Sequence, residues 1–228
     1  MIINHKYKII FIKTIKVAGT SFEIALSKFC DKDDIINPLI VRDENTRKSY
    51  CFQGPVNYKS AHRWKYFFGK HPNKNFKGLF YNHMTSKLIF DQVGKEIFNS
   101  YNKITIHHNP IDKMISLYFW ATRHKKIKFK DWLSTDLNRC TENYDIAPMN
   151  GPLSANYNLR FENLYEDIKN CKILPNNFIE TFKKIKAKSN IKPSITNNAK
   201  LFFEKENCME YYHMIIELVK NHKNYKKL

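Results

Sequence analysis

Glycine and arginine are scarce in this chain. Of its 228 residues only 6 are glycine and 8 proline, which excludes collagen-like and low-complexity classes. Only six of the 39 basic residues are arginine, and with 21 acidic residues the net charge is +18. Such an excess calls for anionic partners, nucleic acid being the first to consider. A chain rich in Lys, Asn and Ile also follows from AT-rich coding, so the charge by itself names no ligand. The five cysteines, Cys30, Cys51, Cys140, Cys171 and Cys208, are odd in number and never spaced C-x-x-C. That argues against a disulfide framework or a zinc site and for free thiols in a reducing compartment. No apolar run approaches the roughly 18 residues that a membrane span needs. The N-terminal KYKIIFIK has an apolar core of five residues, short of the about 7 of a signal peptide. The expectation is a soluble, cytoplasmic protein without a membrane span.

What the chain does have is core-forming material. A hydrophobic content of 43% with 14% aromatics excludes a disordered basic tail. The length fits one domain, taken as residues 1–228. Residues 7–13 are a nearly continuous apolar run, as in a buried parallel strand. Thr20-Ser-Phe-Glu23 has the T-x-x-E form of a capping box. Phe22, Ala25, Leu26 and Phe29 then recur at helical spacing, predicting an amphipathic helix over 20–29. Residues 103–120 repeat the pattern: a β-like run from Lys103 to His107, then Asn109-Pro110 as N-cap and first helical residue. Between them, Thr85 to Val93 reads as a helix stopped by Gly94. Residues 31–75 and 136–156 read as irregular insertions on the acceptor side of any site. A strand over 157–161 and helices near 162–171, 176–188 and 207–222 complete an α/β pattern.

In such sheets ligands sit beyond the carboxyl ends of strands, where loops enter helices. The first junction reads Lys13-Thr-Ile-Lys16-Val17-Ala18-Gly19-Thr20-Ser21. Backbone N–H groups of Gly19, Thr20 and Ser21 at a helix N-terminus suit an anion, Lys16 adds a full charge, and Gly19 permits close approach. The G-x-x-x-x-G-K-[ST] pattern of Mg-nucleotide hydrolases is absent. The second junction, His107-His108-Asn109-Pro110, leads into a helix that carries Ser116. Either junction alone also fits an ordinary strand-to-helix turn.

Together, IKVAGTSFEIAL, HHNPIDKMISLYFW and NLRFENLYEDI resemble three ordered motifs of the PAPS-dependent sulfotransferases, especially the carbohydrate branch that includes uronyl 2-O-sulfotransferases and bacterial relatives. Those motifs are a PKTAGTS loop, an RNPxDRxxSxY segment and an L-R-[FY]-E-N-L-x-x-D segment. The resemblance implies a P-loop NTPase-like three-layer α/β/α fold with a central parallel sheet. It implies 3′-phosphoadenosine 5′-phosphosulfate (PAPS) as donor, PAP as product, no metal, and transfer of the sulfuryl group to a hydroxyl acceptor, expected to be a saccharide or glycan. Lys16 matches the lysine on the bridging oxygen, and Val17 to Ser21 match the 5′-phosphate cradle. His108 and Ser116 fall on 3′-phosphate positions. His83, in Tyr81-Asn-His83-Met-Thr-Ser-Lys87, resembles the family's general base. The chain departs from the family at His108, where arginine is usual, at Lys113, where a second arginine is frequent, and at Val17, where threonine is usual. The resemblance removes the need for nucleic acid as partner. Two alternatives stay open, a basic nucleic-acid-binding module and a donor-binding protein that no longer turns over. Glu162 is read as an acidic first turn, and Tyr118, Phe119 and Trp120 as core. Arg123 to Lys126 reads as a basic run near the acceptor or 3′-phosphate side.

Overall fold

A computed structural model describes residues 1–58, 80–185 and 198–225; His62 and His71, which the sequence places in the first insertion, lie outside them. The chain opens with β1 (Ile2–Asn4), β2 (Ile9–Ile12), α1 (Gly19–Ser27), β3 (Ile35–Ile36) and α2 (Val41–Ser49). After residue 80 come α3 (Ser86–Ser100), β4 (Asn102–His107), α4 (Pro110–Ala121), α5 (Phe129–Asp136), a 3-10 turn (Leu137–Cys140) and α6 (Glu142–Ile146). Then follow β5 (Tyr157–Arg160), a second 3-10 turn (Phe161–Asn163), α7 (Leu164–Asn170), α8 (Phe178–Lys184), α9 (Ala199–Lys205) and α10 (Met209–Lys220).

The fold is α/β, with one correction to the expected parallel sheet. The five strands run β3-β1-β2-β4-β5. β2, β4 and β5 are mutually parallel, but β1 is antiparallel to both β2 and β3. The sheet is therefore mixed. The parallel part is the one that presents two strand-to-helix junctions at the same sheet edge. Helices lie around the sheet, and the apolar run of β2 explains why it is covered on both faces. Successive side chains alternate. Ile9 and Phe11 join Phe22, Leu164, Phe178 and Phe182 in one core. Ile10 and Ile12 join Phe80, Met84, Ile89 and Phe98 in another. Phe11 stacks on Phe22 at 4.3 Å and Phe22 meets Phe178 at 4.8 Å. A third cluster joins α4 and α5 to α9 and α10 through Met114, Phe129, Trp132, Phe203 and Ile215.

Other local expectations need revision. Every residue of α1 is buried, so it is not an amphipathic surface helix. Its N-cap is Ala18, and no side chain caps it. Glu23 points instead to the Met1 amino group and to Lys13, because a carboxylate packed this deep needs cations more than the first turn needs a cap. Gly94 (φ 81, ψ 165) does break the helix, but helical structure resumes to Ser100. The regions read as irregular contain β3 and α2 in the first case and α6 in the second. No helix among the described residues is long and apolar enough to cross a membrane.

Candidate functional site

The two junctions meet. β2 and β4 are adjacent and in parallel register, with Ile12 opposite Thr105, so their following loops leave the sheet side by side. Hydroxyls sew them together: Thr105 Oγ1 donates to the Ile12 carbonyl at 2.9 Å, and Thr14 Oγ1 donates to that of Ile106. The first loop is then gripped by three side chains. Asn143 of α6, only 3% exposed, accepts from Ile15 N at 2.8 Å and donates to Ile15 O at 3.0 Å. The His83 ring lies 3.1 Å by Nδ1 from the Lys13 carbonyl, and the His108 ring 2.7 Å by Nδ1 from the Lys16 carbonyl.

A carbonyl oxygen only accepts, so each imidazole donates through Nδ1. In its neutral form each then carries an acceptor lone pair on Nε2. For His83, half-buried at the loop, that is the tautomer a general base requires. For His108 the ring is 4.2 Å from Phe161, and Nε2 lies 3.8 Å from the Glu162 carboxylate. Glu162 also accepts from Asn109 N at 2.6 Å. Its sequence reading as a mere acidic first turn is therefore incomplete: it braces the second junction.

Lys13, from the same loop, is buried. Its ammonium donates to Thr20 Oγ1 at 3.2 Å and to Glu23 at 2.5 Å. Gly19 makes this possible, since a Cβ there would stand 2.8 Å from Lys13 Cγ. The glycine expected to admit a ligand also makes room for a lysine. Val17 is 1% exposed and packs in the core, so only its backbone is available to an anion. Lys16 and Ala18 hold φ of 60° and 56°, and His83 holds 59°. Such left-handed values cost a non-glycine residue about 1–2 kcal/mol and gather at functional sites. Ser116 is half-buried on α4, and its hydroxyl has no hydrogen-bond partner among the described residues.

No family model, curated protein or solved structure matches the chain. The site is therefore read from its own residues and from the motif resemblance alone. Two positions differ from expectation. Lys113, at a family arginine position, is 1% exposed and donates to the Arg139 carbonyl inside the fold; burial pushes its pKa down to about 8. Trp120 is not core but 41% exposed, with the Lys16 ammonium 6.0 Å and the Arg123 guanidinium 5.1 Å from its ring. Tyr118 and Phe119 do pack on the third core cluster. His107 sits behind the site, stacked on Tyr144, and burial lowers its pKa to about 4. All five cysteines are free. Asn143 left no signal in the sequence, since an asparagine in a polar stretch looks the same whether it grips a loop or faces solvent.

Proposed function

We propose that this protein transfers a sulfuryl group from PAPS to a hydroxyl acceptor, with a saccharide as the acceptor class, on a P-loop-like α/β/α scaffold. The observation that carries the reading is the convergence on one loop. His83 and His108 both bond to backbone oxygens of residues 13–16, and Ser116 stands on the helix that the second junction begins. The residues present suit the donor's anionic groups. The first-turn amides of α1 have no side-chain cap and Lys16 adds a cation, the combination that helix-terminus phosphate sites use. Ser116 offers a hydroxyl to the 3′-phosphate.

In this reading His83 Nε2 takes the acceptor's proton as the acceptor oxygen bonds to sulfur. The bond from sulfur to the bridging oxygen breaks, and its electron pair stays on the 5′-phosphate of PAP. Lys16 stabilises the charge that grows there, an interaction stronger in the transition state than in the ground state. The donor supplies an activated sulfuryl group, and positioning and electrostatics do the rest, as in phosphoryl transfer.

A second reading has its own support. Where the family has arginine, His108 Nδ1 is occupied by the Lys16 carbonyl, and an imidazole cannot form the bidentate fork of a guanidinium. That favours a donor-binding protein without turnover. Thermal shift with PAP and ATP tests both readings, since selective binding stabilises the fold. PAP should raise Tm more than ATP does. Sulfate transfer lost in both Lys16→Ala and His83→Ala, with PAP binding kept in His83→Ala, supports the enzyme. PAP binding without transfer to any hydroxyl acceptor supports the second reading. No PAP shift, with tight and salt-sensitive DNA binding, returns the charge to nucleic acid.

A further inference from the structure

We infer that Trp120 and Arg123, beside Lys16, form the acceptor platform of this site, and that the sugar it takes carries an anionic group such as a carboxylate. The inference rests on the sulfotransferase reading for the identity of the transferred group, but the platform itself is a matter of the residues around one indole. Trp120 lies one turn after Ser116 on the same face of α4, and residues four apart on a helix are neighbours. It is 41% exposed although it is among the most apolar side chains, and cations approach its ring at 6.0 Å from Lys16 and 5.1 Å from Arg123. An indole face bears negative π density, so it attracts the weakly positive C–H face of a pyranose as well as a cation. A sugar stacked there is flanked by a guanidinium suited to bidentate capture of a carboxylate or sulfate.

The charge beyond Trp120 gives the acceptor its sign. Arg123, Lys125, Lys126 and Lys128 are all exposed, and none forms an ion pair with a described carboxylate. The cations that follow are neutralised: Lys130 pairs with Glu210 at 2.8 Å, and Arg139 with Glu142 at 3.2 Å. A run of lysines is by itself a solvated face. Here it continues from an exposed tryptophan next to the lysine that serves the transferring group. The donor's anionic groups are already assigned to Lys16, the α1 amides and Ser116, so this surplus is left for the acceptor. Ile127, 38% exposed within the run, adds a second apolar contact. The alternative occupant, the donor's base, is an outcome of the test.

The probes are a chondroitin tetrasaccharide, which carries carboxylates, and the neutral chitotetraose, each titrated by calorimetry into the full chain with saturating PAP. The carboxylated sugar should bind at least about tenfold tighter, and its affinity should fall as salt is raised. Trp120→Ala should weaken it about tenfold and Arg123→Gln several-fold, with PAP affinity unchanged in both and circular dichroism confirming the fold. Equal binding of the two sugars, or binding that Trp120→Ala leaves intact, overturns the platform. Loss of PAP affinity in Trp120→Ala overturns it in favour of the donor's base. Failure of PAP to bind the unaltered protein counts against the sulfotransferase reading instead, and the sugars titrated without PAP then still test the platform.

Discussion

Asn143 is the residue on which the geometry of the first loop depends most, and replacing it separates hydrogen bonding from space filling. In Asn143→Ala the Ile15 N–H and C=O both lose their partner. A buried backbone group left unsatisfied costs about 1–3 kcal/mol, and about 0.5–1.5 when water replaces the bond. Ile15 is only half-buried whereas Asn143 is 3% exposed, so water reaches one side more readily than the other. The sum expected is about 2–4 kcal/mol. Asn143→Asp nearly preserves shape and still accepts from Ile15 N. It turns an oxygen toward the Ile15 carbonyl, where the amide nitrogen stood at 3.0 Å. If the two bonds hold the loop, the aspartate variant at neutral pH is as destabilised as the alanine variant. If Asn143 merely fills space, the aspartate variant is nearly normal. Urea unfolding at constant m-value measures both. An aspartate variant within about 0.5 kcal/mol of the parent, the range of an ordinary surface change, would refute the argument. The PAP-induced rise in Tm should shrink in both variants, since the loop amides lose their fixed aim.

Two more predictions follow from buried groups. The His107 pKa falls from 6.5 to about 4 on burial, so the unfolded chain takes up a proton before the folded one does. Its contribution to stability is present above pH 6.5 and is lost as pH falls through about 4, up to about 3 kcal/mol in all. Denaturation midpoints between pH 7 and 4 should therefore flatten in His107→Phe, which retains the stack on Tyr144; an unchanged pH profile removes His107 as the cause. Gly19→Ala places a Cβ 2.8 Å from Lys13 Cγ while Lys13 is tethered to Thr20 and Glu23, so it should cost about 1–3 kcal/mol, and a thermal midpoint equal to the parent's would show that the lysine moves aside freely.

The parts of the fold legible in the sequence were those set by neighbours in the chain. The apolar run at 7–13 located β2, and Asn109-Pro110 located the start of α4, where the Asn109 side chain accepts from Ile111 N at 2.9 Å. The illegible parts were set by distant partners. Thr20 and Glu23 have capping-box spacing, yet Glu23 is drawn into a buried cluster by Lys13 and Met1. β1 is three residues long, too short for a periodic signal, so nothing foretold the antiparallel edge of the sheet. Trp120 sits in an aromatic triplet that reads as core, because helical spacing does not reveal where the next element fails to cover a face. At the site, the motif positions of Lys16, His83, His108 and Ser116 were legible, whereas their supports at Asn143 and Glu162 were not.

The shortage of glycine has a counterpart at this site. Among the described non-glycine residues with positive φ, Lys16, Ala18 and His83 fall on the loop or against it, where glycine would adopt the same backbone without strain. Glycine has no ammonium and no imidazole, so the chemistry proposed for Lys16 and His83 is incompatible with the residue the backbone prefers. The strain persists only if the surroundings over-determine the conformation. The Asn143 clamp on Ile15 and the bonds from His83 and His108 to the carbonyls of Lys13 and Lys16 supply that constraint. His108 thereby has a task that arginine is not obliged to perform: it joins the second junction to the strained lysine of the first. The departure from the family at this position then weakens the grip on the 3′-phosphate while fixing the residue that serves the bridging oxygen.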